Sequence, residues 1–181
     1  MPIREYLDIE QVNILLKHAP HPDARLLMLT MWRAGLRVSE AISLRFQDIQ
    51  MDSDRPQIAV RRGKGKKHRY VPLHPELEQA FIVALGYRRG SPKRGLVFDI
   101  SRITAHTWVK LAYEKAVSAG DLPEGRKISC HTFRHSFARH MLLQGVKINR
   151  LQHWLGHSML ATTMVYLELV PDPEGVMAGI E

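Results

Sequence analysis

Between His131 and Tyr166 the chain reads HTFRHSFARHMLLQGVKINRLQHWLGHSMLATTMVY, and its polar side chains are of types that handle an anion. His131 and Arg134 stand three residues apart and share one face of a helix. That face is expected at the surface, because an unpaired buried arginine is costly. An imidazole, His157, follows at a helix end, and a phenol, Tyr166, comes nine residues later. A planar guanidinium takes phosphate oxygens in pairs, so phosphate suits the set best. Upstream, Arg37 opens a short helical stretch, Val38 to Leu44, where an exposed cation is disfavoured by roughly 0.3–1 kcal/mol. Glu40, three residues on, can hold that guanidinium, and a bound phosphate would gain from both the arginine and the helix end.

Each feature has a plainer reading. Arg37 and Glu40 fit a surface ion pair, and Tyr166 fits a half-buried helix tyrosine. The pairs His131–His135 and His153–His157 are spaced i,i+4, a geometry that can bind zinc. Neither pair has a carboxylate or cysteine at ligand spacing, and Arg134 would repel a cation beside the first. His135, His140 and His153 read as packing or support for the site. Cys130 does not face its neighbour His131 on a helix and makes no convincing thiol site.

The elements that must position these groups follow from pattern. Asp8 caps a first helix, with Gln11 at the capping-box position and an apolar stripe of Ile9, Val12, Leu15 and Leu16. Asp23 starts a second helix, with Leu26, Leu27, Thr30, Met31 and Ala34 inward and Gly35 as its stop. Gln57 to Arg61 alternates like a strand and Arg69 to Pro72 looks like its return. The tip between them, with six Lys or Arg over residues 61–69, is by itself a solvated hairpin end. Pro75 opens a helix to about Leu85, Leu96-Val97-Phe98 reads as a third strand, and a further helix runs from about Thr104 to Gly120. Gly145 and Gly156 each follow an apolar helical run, so the organising stretch divides into three short helices.

The whole chain of 181 residues suits one domain. Lys+Arg 26 against Asp+Glu 18 gives a net charge of +8, a balance that favours nucleic acid over a membrane surface as partner. No run approaches the ~18 apolar residues of a membrane span. The single cysteine fits a reducing cytosol, so a cytoplasmic, nucleoid-associated protein is expected.

HTFRHSFA, then LGHS, then Tyr166 resembles the C-terminal half of the catalytic domain of tyrosine (phage-integrase-like) recombinases. Gly35-Leu36-Arg37-Val38-Ser39-Glu40 resembles that family's first arginine motif. Gly63-Lys64-Gly65-Lys66-Lys67 followed by Val71-Pro72-Leu73 resembles its lysine hairpin. Four motifs in order make the match specific. The resemblance implies a mixed α/β (α+β) catalytic domain, mainly helical, with a small antiparallel three-stranded sheet. It implies a site of Arg37, Lys64, His131, Arg134, His157 and Tyr166, with Arg61, Arg62, Lys66, Lys67 and Arg69 as DNA contacts. Tyr166 would attack phosphorus and remain joined to the 3′ side of the DNA, with His131 as base, His157 as donor to phosphate and Lys64 as general acid. No metal or nucleotide cofactor is then called for, since the arginines carry the charge and the phosphotyrosine retains the bond energy. A type IB topoisomerase and a non-catalytic DNA-binding module are the rival readings.

The family typically has a separate N-terminal helical domain, and here the first helix begins almost at Met1. Residues 1–181 are therefore expected to be the catalytic domain alone, as an excised fragment or as a single-domain form similar to fimbrial-inversion recombinases. The partners implied are double-stranded DNA and other protomers, monomeric in isolation and tetrameric in the synapse. Residues 167–181 would form a tail that packs on its own domain, frays, or is exchanged between protomers.

Overall fold

A computed structural model describes residues 5–61, 68–87 and 95–170. The hairpin tip carrying Arg62, Lys64, Lys66 and Lys67, the basic loop 88–94 and the tail from 171 lie outside these residues, and so do the expectations placed on them.

The chain enters through α1 (Ile9–Lys17), which Asp8 caps as expected: its carboxylate accepts the Gln11 backbone N–H at 2.8 Å while the Gln11 side chain accepts the N–H of Asp8. Next comes α2 (Pro22–Ala34), which begins one residue before Asp23, with proline in the first turn. Its pattern suggested one buried face, yet Met28, Leu29 and Trp32 are as buried as Leu27 and Met31. A helix whose middle, Leu26 to Trp32, is buried on all sides belongs at the centre of a core, and α2 packs against α1, α3 (Val38–Ile42), α4 (Pro75–Tyr87), α5 (Arg102–Ser118) and α6 (Cys130–Leu143). Each of its large apolar side chains stabilises the fold by roughly 1.5–3 kcal/mol. The remaining α-helices among the described residues are α7 (Ile148–Leu155) and α8 (Ala161–Met164), followed by a 3-10 turn, Leu167–Leu169.

The sheet is three-stranded and antiparallel, in the order β1 (Ile49–Gln50), β2 (Gln57–Val60), β3 (Arg69–Pro72). The hairpin strands pair as expected, Gln57 opposite Pro72 and Val60 opposite Arg69. The third strand is a different segment from the one expected. Residues 96–98 make only a single bridge, Leu96 to Arg45, with the Val97 N–H donating to the Leu44 carbonyl at 2.8 Å. Val97 and Phe98 are buried in the core, so their apolar character reflects core packing and not a ladder. The actual third strand is two residues long, too short for alternation to reveal.

Candidate active site

Gly35 ends α2 in the left-handed conformation, φ 61°, which a residue without Cβ adopts freely. A Cβ at this position would also overlap the Phe137 ring. That close approach lets α6 lie against the end of α2 and presents the Gly35 carbonyl to Arg134, whose Nη1 donates to it at 2.6 Å. Gly156 ends α7 in the same way, φ 67°. The last carbonyls of a helix have no partner within it, and three arginines meet those of α7. Arg69 Nε donates to the Trp154 carbonyl at 2.7 Å, and Arg134 Nη2 to the Leu155 carbonyl at 2.7 Å. Arg37 Nη1 also reaches the Leu155 carbonyl, at 3.4 Å. The negative end of the helix dipole adds to their hold.

Glu40 lies among these guanidiniums. It takes Arg69 in a two-point pair at 2.7 and 2.8 Å, Arg37 Nη1 at 3.2 Å and the Arg37 backbone N–H at 2.8 Å, with Arg134 3.8 Å away. Burial alone would raise its pKa, but hydrogen bonding and charge from Arg69, with the Arg37 N–H and Arg134, hold it at about 2. Three cations against one carboxylate leave a surplus of two positive charges. An anion fits that surplus. Arg134 is 3% exposed, and burial together with the neighbouring Arg37 draws its pKa down to about 10, so it stays charged at neutral pH. Arg37, with 37% of its side chain exposed, is the open member of the set.

Two expectations are corrected here. Arg134 is not on the surface: buried, it is satisfied by two carbonyls supplied from distant parts of the chain, which removes the penalty that argued for exposure. Arg69 does not stand at the surface, where a DNA contact was expected. Alternation along β3 turns Arg69 and Val71 inward and Tyr70 and Pro72 outward, so Arg69, 3% exposed, is the structural partner of Glu40. The basic run was read as uniform, when the strand's own period divides it. Arg61 pairs with buried Asp48, Nε to Oδ1 at 2.7 Å, and keeps 47% of its side chain open.

His157 Nε2 lies 3.1 Å from Arg134 Nη2 and its Nδ1 2.9 Å from Thr163 Oγ1. A guanidinium can only donate, so Nε2 accepts and Nδ1 carries the proton given to Thr163. The His157 ring stacks on Tyr166, 9° between planes and 6.3 Å between centres. Tyr166 is 1% exposed, and its hydroxyl is 2.9 Å from Nδ1 of His135. Sequence reasoning gave His135 only a supporting role; its position four residues after His131 was the available signal. His131 is exposed, and its pKa is lowered by partial burial and by the cations Arg134, His106, Arg37 and Arg102, so it is neutral at pH 7. His140 packs beside Trp32, as a support residue should, whereas His153 is exposed and borders a polar recess with His68, Asn149 and Gln152. Cys130 is buried and its thiol is pushed up to about 12 by burial, which leaves it unreactive. The structure thus brings Arg37, Arg134, His131, His157 and Tyr166 together, while Lys64 lies outside the described residues.

Comparison with known proteins gives the same outline. The model of the phage integrase family matches residues 5–171. A tyrosine recombinase XerA from Thermococcus kodakarensis is 37% identical over 169 residues, covering 88% of this chain and 56% of that protein. The chain therefore spans little more than half the length of this relative. A crystal structure of XerA recombinase superposes with a TM-score of 0.78 at 26% identity, over 92% of this chain and 60% of that one. The catalytic domain of bacteriophage HP1 integrase superposes at 0.64 and 27% identity, over 92% and 89%. No helix among the described residues is long and apolar enough to cross a membrane.

Proposed function

The chain belongs to the phage integrase family, and from that premise we propose that it is a site-specific DNA recombinase acting through a covalent 3′-phosphotyrosyl intermediate. The observation that carries this reading is the surplus of positive charge around Glu40, open at Arg37, beside a tyrosine stacked on His157. Donors held in place before the reaction, and aimed at charge that grows in the transition state, lower the barrier without reorganising during it. Arg37 and Arg134 hold the non-bridging oxygens of the scissile phosphate, and His157, released from Arg134 and protonated at Nε2, donates to one of them. Oη of Tyr166 then forms a bond to phosphorus as the bond to the 5′ oxygen breaks. The phenolic proton passes to His131, whose lowered pKa keeps it neutral and able to accept. The leaving 5′ oxygen takes a proton from Lys64. Rejoining runs the same steps backwards.

Arg61, through its open edge, and Arg62, Lys66 and Lys67 contact DNA phosphates in this reading. Double-stranded DNA is the partner, cytoplasmic and nucleoid-bound. Protomers that are monomeric alone assemble as a tetramer on paired sites, with the tail of residues 167–181 exchanged between them. Strand swivelling of the type IB kind is not favoured because of the match to HTFRHSFA and LGHS, and a non-catalytic DNA-binding role is not favoured because no nucleophile or arginine of the motif set is missing from the sequence.

The test uses a nicked DNA site from which the cleaved end diffuses away, so that adduct accumulates. A denaturation-resistant protein–DNA species, with the modified peptide mapped to Tyr166 and the DNA attached through its 3′ phosphate, is the expected result. Absence of adduct on every site to which the protein binds would overturn the reading. A Lys64→Ala variant, slow on ordinary DNA, should recover on DNA with sulfur at the 5′ bridging position, since a thiolate leaves without protonation. Equal defects on both substrates would leave Lys64 as a phosphate contact only.

A further inference from the structure

The hydroxyl that must reach DNA is held inside the protein. Tyr166 is among the most buried large side chains, and its hydroxyl oxygen meets Nδ1 of His135 at 2.9 Å. His135 stands on α6 one turn beyond His131, with 6.2 Å between the two ring centres, and its ring is 5.6 Å from that of Tyr166. The imidazole that touches the reacting oxygen in this state is therefore not the exposed one expected to serve as base. Resting on the phosphotyrosyl reading, we propose that His135 is a positioning residue that holds Tyr166 by its hydroxyl in a withdrawn place, and that the tyrosine must leave His135 before it can meet a phosphate.

The surroundings support a restraint at this point. Tyr166 sits between the four residues of α8 and a three-residue 3-10 turn. Pieces this short have little helical stability of their own, so contacts to the rest of the domain set their position. Thr163 meets His157, and Arg139 Nε donates to the Leu169 carbonyl at 2.8 Å. Both fix the backbone segment, whereas His135 holds the reacting atom itself. A nucleophile in equilibrium between withdrawn and released positions reacts in proportion to the released fraction. A hydrogen bond of ordinary net strength shifts that fraction about two- to tenfold.

The test compares wild type, His135→Phe and His135→Asn in the full chain. Phe keeps a ring and removes the hydrogen bond; Asn places an amide oxygen where Nδ1 stands. Tyr166 nitration by tetranitromethane is followed by peptide mapping without DNA, and adduct formation is followed in a single turnover on nicked DNA. His135→Phe should be faster in both assays, by about two- to tenfold, and His135→Asn should return to wild-type rates. Equal rates in all three proteins would overturn the proposal, as would equal acceleration in both variants, which would assign the restraint to packing. A slower adduct in His135→Phe would also overturn it, by making His135 a partner in the chemistry. If His135→Phe shows no cooperative melt, His135→Ala takes its place. Should wild type form no adduct at all, the phosphotyrosyl reading fails, while the nitration arm still decides whether His135 holds Tyr166.

Discussion

The two halves of the site are built in opposite ways. The half proposed to hold the anion has its charges locked: Arg69 and Arg134 are buried, Glu40 joins them, and helix-end carbonyls accept from both guanidiniums. The half that carries Tyr166, the proposed nucleophile, hangs on a four-residue helix and a 3-10 turn, with Met159, Leu160, Met164 and Leu167 exposed around it. Fixed charge serves catalysis because it needs no rearrangement when the transition state forms. A nucleophile fixed equally well would be unable to leave its buried place. In the proposed mechanism, rigidity lies where charge develops and freedom where an atom must travel.

Ways to break this contrast run from large to small. Tyr166→Phe should abolish the covalent species while leaving DNA affinity close to wild type, as a gel shift run beside a denaturing gel would show; adduct in this variant would remove the nucleophile from its half. Glu40→Ala should destabilise the fold by about 3–5 kcal/mol, because it leaves the buried Arg69 charge unpaired. An unchanged denaturant midpoint would mean the cluster is not locked. The same pairing predicts acid sensitivity. Because the pKa of Glu40 in the folded chain is about 2, below its unfolded value, its contribution is complete above about pH 4.5 and is lost as pH falls towards 2. Arg37→Ala should slow cleavage about 10²–10³-fold in a single turnover, with little loss of stability because this arginine is the open one. A comparable loss of stability would make it part of the locked frame.

A smaller effect is expected from pH. With the pKa of His131 lowered, the cleavage rate should hold down to pH 6.5 and fall below it, about tenfold per unit once the imidazole is mostly protonated. His131→Gln should remove that limb; a limb that persists would assign it to another group. Smallest is Thr163→Val, which removes the partner of His157 Nδ1. Stability should change by about 1 kcal/mol or less, with a modest loss of cleavage from a misdirected imidazole. A large loss of stability would show that the nucleophile half is as rigid as its counterpart.

Much of this was legible in the residues. Asp8 and Gln11, Gly35 and Gly156 marked helix ends because caps and left-handed stops have local chemical causes. The return strand Arg69–Pro72 was legible for the same reason. What escaped depends on groups far apart in the chain. Arg134 is buried because Gly35, 99 residues away, and Leu155, 21 away, supply its acceptors, and no local pattern announces them. Ile49–Gln50 forms a strand only because β2 lies beside it. Arg69 is the exception, since applying alternation to the basic run would have turned it inward.

Cys130 has a consequence of a practical kind. It is the sole thiol of the chain, and with its pKa at about 12 only about one molecule in 10⁵ carries the thiolate at pH 7. Maleimide and haloacetamide reagents should pass over the native protein. A cysteine placed at exposed Ser158, beside the tyrosine segment, would then be the one reactive position, with no background mutation needed. A fluorophore or spin label there could follow the segment's movement in real time while the native core keeps every one of its side chains.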